Sequence, residues 1–320
     1  MASPNTNYDD ITATTIENRS GELADNVSDS TALFNRMKKR GNMRLISGGD
    51  VILQELAYAE NTNWMRYSGM DPLAIQQQEE FTAAQFAWKQ AACAVPMSGL
   101  DEIKNSGKEK YIDLMEARLT NAERTMKNNI SSDFYSAGSL ANQMGGLQLL
   151  VSDTPTTGTV GNIDASAQSW WQSICTSAAS ATATADIGGF MYDLWLQLVR
   201  GQDSPNLISS DNILWKAYNL SLTANQRFTN PELAELGFHN LLFQNAPVVL
   251  DGGQGGDCPA RHMYFLNTDY LHFCTSKIRN FSSLGGKRFS TNQDASVQLI
   301  AWAGNATCSN RSLQGVLKGV

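Results

Sequence analysis

The stretch from Ser106 to Tyr135, SGKEKYIDLMEARLTNAERTMKNNISSDFY, constrains this chain more than any other. Tyr111, Met115, Leu119, Ala122, Met126 and Ile130 recur at steps of four and three. That spacing keeps them on one side of a helix. Ser106 followed by Glu109 is a capping-box start, and Glu123 with Lys127 is a favourable pair on the wet side. A helix over Lys108 to Tyr135 would be roughly 40 Å long at about 1.5 Å per residue. Globular domains usually stop at about three or four turns. On periodicity alone such a rod is the core helix of an α+β enzyme, and the flanking segments shift that reading.

A chain of 320 residues has room for one large domain or for smaller ones with real cores. The formal net charge of −7 excludes nucleic-acid affinity through overall basicity. No apolar run approaches the about 18 residues that span a bilayer. MASPNTNYDD has neither a basic n-region nor an apolar h-region, so no secretory signal is expected. Cys93, Cys175, Cys258, Cys274 and Cys308 are widely spaced with no CxxC. Neither a disulfide framework nor a zinc site follows, and reduced, buried thiols in a cytoplasmic setting are expected.

Residues 1 to about 30 are polar and suit an extended arm rather than a packed domain. Ser30 then caps a short helix, TALFNRMKKR, with Leu33, Phe34 and Met37 on one face and Gly41 as its stop. Arg36, Lys38, Lys39, Arg40 and Arg44 form a basic cluster with no acid among them. It is either a solvated helix end favoured by the dipole or a contact for an acidic neighbour or nucleic acid. From Leu45 to Met97 the period changes from that of a helix to that of a strand. DVILQELAYAE and EEFTAAQFAWKQAACAVP predict two long strands around an irregular tip, NWMRYSGMDP, bent at Gly69 and Pro72. Both faces mix apolar and polar side chains, and such a hairpin cannot bury itself alone. It needs another surface: a lid's cleft, a dimer partner or a neighbouring subunit.

After the long helix, Gly138, Gly145 and Gly146 give a flexible exit, and SDTPTTGTVGNID is a polar loop. Helices are expected at DASAQSWWQSIC, IGGFMYDLWLQLVR and NILWKAYNLSLTANQRF, with Trp170, Trp171, Phe190, Trp195, Leu198, Trp215 and Tyr218 as core. Strands are expected at FHNLLF, APVVLD, HMYFLN and YLHFCT. The DGGQGGD loop fits no EF-hand spacing and is a surface turn. The C-terminal stretch alternates, with Val297, Leu299 and Ala301 on one face, a turn at Asn305 and a returning strand to about Val316.

No catalytic motif emerges. Gly107-Lys108 and Gly286-Lys287 lack the earlier glycine of a phosphate loop, because Glu102 and Phe281 stand there. GxSxG, HExxH and GxGxxG are absent, and His239, His262 and His272 fall in strand patterns that suit structural histidines. No catalytic, cofactor or metal residue is assigned.

The order of segments, and their wording, resembles the major capsid proteins of tailed bacteriophages with the Hong Kong 97-like fold. TTIENRSGELADNVSDSTALFNRMKKRGNMR, GGDVILQELAYAENTNWMRYSG, EARLTNAERTMKNNISSDFYS, GGLQLLVSDTPTTGTVGNID, MYFLNTDYL and LIAWAGNATCSNRSLQGVLKG carry the resemblance across nearly the whole chain. It implies an α+β fold with an N-terminal arm at 1–44, an extended β-hairpin loop at 45–98 and a peripheral domain with a spine helix at 99–145. An axial domain at 146–283 and C-terminal strands returning to the peripheral domain at 284–320 complete it. It further implies a non-enzymatic subunit that self-assembles as pentamers and hexamers into an icosahedral shell around double-stranded DNA, without sequence-specific binding. A separate scaffolding protein, a portal and a possible decoration or cement protein are its implied partners. No membrane and no cofactor is implied, and the location is the virion, assembled in the bacterial host cytoplasm. The assembly contacts expected are Arg36, Lys38, Lys39 and Arg40 at the helix end and Trp64, Arg66 and Tyr67 at the hairpin tip. Lys89 is the only lysine of the extended loop and lies off the tip, so no cross-link is expected. An encapsulin-like compartment shares this fold, and an α/β enzyme with a hairpin lid is the remaining alternative.

Overall fold

The computed structural model describes residues 32–73, 75–100, 108–178, 186–222, 240–252, 256–285, 288–289 and 294–319, with the side chains of 108–117, 240 and 288–289 excepted. The expected arm at 1–31, the Ser106–Glu109 cap, His239, Gly286-Lys287 and the middle of DGGQGGD lie outside the described residues.

In chain order, helix α1 (Ala32–Lys39) leads into strand β1 (Met43–Ile46), the hairpin strands β2 (Val51–Ala57) and β3 (Phe81–Ala87), and strand β4 (Lys89–Ser98). The long helix α2 (Lys108–Phe134) follows, then the single turn α3 (Leu147–Leu150), the strand pair β5 (Thr159–Val160) and β6 (Ile163–Asp164), and β7 (Ile174–Ala178). Helix α4 (Ile187–Leu198), β8 (Leu207–Ser210), helix α5 (Asn212–Ser221), β9 (Asn240–Phe243), β10 (Ala246–Leu250), β11 (His262–Leu266) and β12 (Leu271–Ser276) come next. The chain closes with β13 (Ser282–Ser283), β14 (Arg288–Phe289), β15 (Ala295–Cys308) and β16 (Gly315–Gly319).

Helix α2 runs for 27 residues, as its apolar period predicts. Leu119, Ala122, Met126 and Ile130 are buried, and the stripe continues into Phe134 and Tyr135. Helix α1 ends as its sequence predicts. Gly41 at φ +72° lets its N–H donate to Lys38 O at 3.0 Å and the Asn42 N–H donate to Met37 O at 2.9 Å, a Schellman stop that only a left-handed residue closes without strain. Phe34 of α1 meets Phe134 and Phe273 edge-on at 4.9 and 5.2 Å, so α1 is built into the main core.

Among the described residues, two six-stranded sheets organise the body. In the first, β15 is the long central strand. It pairs with β4 along one edge and with β12, β13 and β14 along the other, while β1 adds to β12 in parallel. The second has the order β7-β16-β11-β8-β10-β9. Its side chains alternate between two cores. Leu207, Val249, Tyr264, Leu266 and Val316 face the core shared with α1 and α2. Ile208, Val248, Met263, Phe265 and Leu317 face the core capped by α4 and α5. A sheet buried on both faces shows the near-continuous apolar strands seen here.

Four local expectations change. Residues 164–175 are not a helix: Asp164 Oδ1 accepts the Ser166 N–H and O–H at 2.8 Å each. That turn competes with helix start, a 3₁₀ turn follows at Ser169–Trp171, and ICTSA becomes β7, pairing in parallel with β16. The returning hairpin strand breaks at Trp88, whose indole donates to Gly49 O at 2.9 Å. Beyond it, β4 leaves the hairpin and pairs with β15. No turn forms at Asn305, because β15 continues to Cys308. Asn305 donates instead to Ala87 O at 2.8 Å and accepts from the Gly145 N–H at 3.3 Å, tying the hairpin base to the helix exit. The last strand, β16, enters the second sheet between β7 and β11 rather than the sheet of β15. The third expected helix is seen as Asn212–Ser221, and its continuation past Leu222 lies outside the described residues.

Candidate functional site

The hairpin divides into a covered half and an uncovered half. Along the β2–β3 ladder, from Val51↔Ala87 to Ala57↔Phe81, Ile52, Gln54, Leu56, Ala84 and Phe86 are buried on one side. The cover comes from the chain's own β5–β6 turn and the first sheet. The Gln85 N–H donates to Gly161 O at 2.9 Å. Gly161 sits at φ +62°, and a Cβ there would come within 2.8 Å of Ala84 Cβ and 3.1 Å of Phe86. Glycine is therefore required twice over, for the backbone angle and for the approach. Tyr58 stacks on Trp170 with ring centroids 5.5 Å apart. The expectation that both hairpin faces await another molecule thus does not apply to this shoulder.

Beyond Ala57 and Phe81 the Tyr58 N–H still donates to Glu80 O at 3.0 Å, and farther out side-chain bonds keep the two legs joined. Asn63 Nδ2 donates to Gln76 O at 2.7 Å, and the Gln76 N–H returns to Asn63 Oδ1 at 3.2 Å. The Thr62 N–H donates to Gln78 Oε1 at 2.9 Å. At the end, Gly69 at φ +58° and the Ser68 N–H to Asp71 Oδ2 bond at 2.9 Å close the turn expected at Gly69 and Pro72. Trp64 is 71% exposed and Ile75 91%. Tyr67, Met70 and Leu73 are exposed beside them. Monomers do not normally group bare aromatic and aliphatic side chains like this unless another surface covers them.

Inside the body, polar groups act as joints. Tyr135, just past α2, places its hydroxyl 2.6 Å from both Ser209 Oγ and Asp251 Oδ2. Burial pushes the Tyr135 phenol up, with the Asp251 charge adding to it. Burial likewise raises Asp251. Arg311 is fully buried. Its Nε donates to Leu150 O at 2.7 Å and its Nη1 to Trp171 O at 2.9 Å, holding the end of α3. His272 lies under the hairpin, its Nε2 3.2 Å from Arg44 Nη2, while Arg44 Nη1 reaches Gln54 Oε1 at 3.4 Å. Burial, and then the Arg44 charge, lower the His272 pKa from 6.5 to about 4. Because a guanidinium only donates, the neutral ring accepts at Nε2. Among the described residues no group of three or more His, Cys, Asp or Glu could hold a metal ion, and no helix is long and apolar enough to cross a membrane.

The fold recurs in solved structures. The cyanophage A-1(L) capsid asymmetric unit matches at a TM-score of 0.67 and 16% identity, over 88% of this chain and 92% of that one. The chain has the Hong Kong 97-like capsid fold. The capsid of an empty GTA particle matches with a TM-score of 0.58 at 12% identity, over 88% of this chain and 89% of that one. The capsid of Myoviridae phage XM1 matches with 0.54 at 9%, over 88% and 91%. No family model matches the sequence, and no curated protein matches it.

Within this Hong Kong 97-like body the expected contact residues fall into two groups. Arg36, Lys38 and Lys39 lie in the last turn of α1 and Arg40 just past it, where Arg40 pairs with Asp269 at 3.4 Å, and the exposed Arg44 reaches across to His272. The acid missing from the local sequence is thus supplied from far along the chain. Trp64, Arg66 and Tyr67 come together at the hairpin tip, where the Arg66 guanidinium lies 4.8 Å from the Trp64 ring centre. Sequence reasoning missed four surfaces or joints. Trp170, expected as core, is the half-buried shoulder under Tyr58. Tyr192, Leu196 and Leu220 leave apolar surface exposed on α4 and α5. Asn305 and Arg311 carry no local pattern; their roles come from partners more than a hundred residues away.

Proposed function

We propose that this protein is the major capsid protein of a tailed phage or a GTA-like particle, a shell subunit without catalytic activity. The observation that carries this reading is the joint one: a capsid fold over 88% of the chain and a bare apolar hairpin tip. A heterologous contact repeated with closing rotation builds rings, and pentamers and hexamers of this chain would close an icosahedral shell. In this assignment the second sheet with α4 and α5 is the axial domain. The first sheet with α2 is the peripheral domain, and the tip is an inter-subunit strap. A net charge of −7 suits a wall along which packaged double-stranded DNA slides, because phosphate binding needs cations. A separate scaffolding protein and a portal belong to the same reading, as does assembly in the bacterial host cytoplasm.

The test is negative-stain microscopy of the expressed chain, with and without a candidate scaffolding protein. Closed particles are expected. Dispersed monomers under both conditions would overturn the reading, and particles that hold a protein cargo and no nucleic acid would shift it to an encapsulin-like compartment.

A further inference from the structure

A cleft of about 420 Å³ opens at the hairpin shoulder, between the ladder's outer end and the β5–β6 turn. Tyr58, Phe81 and Trp170 form its aromatic walls, and Glu79 and Asp164 bring carboxylates to it. Among the described residues no lysine or arginine lines it. Asp164 is fixed by its two bonds to Ser166, which hold its pKa below the usual carboxylate value. Stacked rings beside fixed negative charge make a receptor for a guanidinium or ammonium group.

The chain itself carries a matching group. Arg66 is the one Lys or Arg between Val51 and Ala87, against the acids Glu55, Glu60, Asp71, Glu79 and Glu80. It stands at the tip, presented on the Trp64 ring. The amide bridges at Asn63–Gln76 and Thr62–Gln78 keep the two legs together and carry Arg66 away from its own shoulder.

We infer that the Arg66–Trp64 tip of one copy seats in the Tyr58–Glu79–Asp164–Trp170 cleft of the next. The inference rests on the shell reading and names the surface that receives the strap. Donor and receiver are different patches of one chain, so the contact is head-to-tail and propagates around a ring. Against the acids of the receiving hairpin, Arg66 is the tip residue that brings the opposite charge.

A charge exchange on the full chain tests it. Assembly is read by sedimentation velocity and negative stain, with circular dichroism confirming that each variant folds. Arg66→Glu alone and Glu79→Arg alone are each expected to cut the assembled fraction by roughly tenfold or more, since each sets like charges together. The double variant Arg66→Glu/Glu79→Arg is expected to recover assembly. Unchanged assembly of Arg66→Glu would overturn the inference, and so would a double variant no better than the single ones. Both results leave the shell reading standing, whereas a wild-type chain that forms no particle would overturn both.

Discussion

The second sheet and the hairpin are both antiparallel in part and both rich in apolar residues, yet they solve burial differently. The inner strands β8, β10, β11 and β16 of the sheet have neighbours on two faces, with α4 and α5 over one and the α1–α2 core under the other. The hairpin has cover on one face as far as Tyr58, which stacks on Trp170, and past it Trp64, Tyr67, Met70, Leu73 and Ile75 are exposed. Sheet positions therefore answer to stability, and tip positions answer to whatever the tip touches. The comparison can be broken by substitutions in each region that move the wrong observable.

The largest effect is expected at Arg311. Arg311→Met removes the donors to Leu150 O and Trp171 O and leaves both carbonyls buried without partners. At about 1–3 kcal/mol for each orphaned group, urea unfolding of the unassembled subunit should show a loss of about 3 kcal/mol or more. A loss under about 1 kcal/mol would mean that the buried guanidinium is not the strut described.

His272 gives an effect of similar size that depends on pH. Its folded pKa is about 4 against a usual 6.5, so between these values the unfolded chain binds the extra proton. Stability conferred by the neutral ring is complete above pH 6.5, falls as pH drops, and levels off below about 4. The shift corresponds to about 3 kcal/mol at most. His272→Gln should flatten that part of the stability-pH curve relative to the parent. Protonation also sets His272 against Arg44, so hydrogen exchange in β2 should quicken first. An identical pH slope in parent and variant would refute the assignment.

Gly161→Ala should cost about 2 kcal/mol, from the left-handed backbone angle and the contact with Ala84. The loss should be local. Exchange of β2 and β3 amides should rise while the second sheet stays protected, and uniform protection would show that the hairpin does not depend on this support.

What was legible in the sequence follows the same division. The long helix could be read because its own side chains set its period, and β9 to β12 because alternation and turn residues are local. The parallel pairs β1–β12 and β7–β16 could not be read, because each joins segments far apart in the chain and leaves no spacing to detect. Residues 164–175 were misread because adjacent tryptophans suit a helix face as well as a turn. What decides there is the Asp164–Ser166 turn and a partner strand at Gly315–Gly319. At the candidate site, Trp64, Arg66 and Tyr67 could be singled out because they stand bare among polar residues. Their receiver could not, because Tyr58, Asp164 and Trp170 meet only through the fold.

The smallest stability effect belongs to the tip, and it sharpens the contrast most. Trp64→Ser with Ile75→Ser removes two exposed side chains that touch no core. The unassembled subunit should keep its unfolding midpoint to within about 0.5 kcal/mol, as surface substitutions do. The same variant should fail to form particles, because the removed area is what a neighbour would bury. If stability fell by about 2 kcal/mol, the tip would be part of the subunit's own core and the division drawn above would be false. If neither stability nor assembly changed, the bare tip would be ordinary surface, and the strap would have to be sought on the exposed face of α4 around Tyr192 and Leu196.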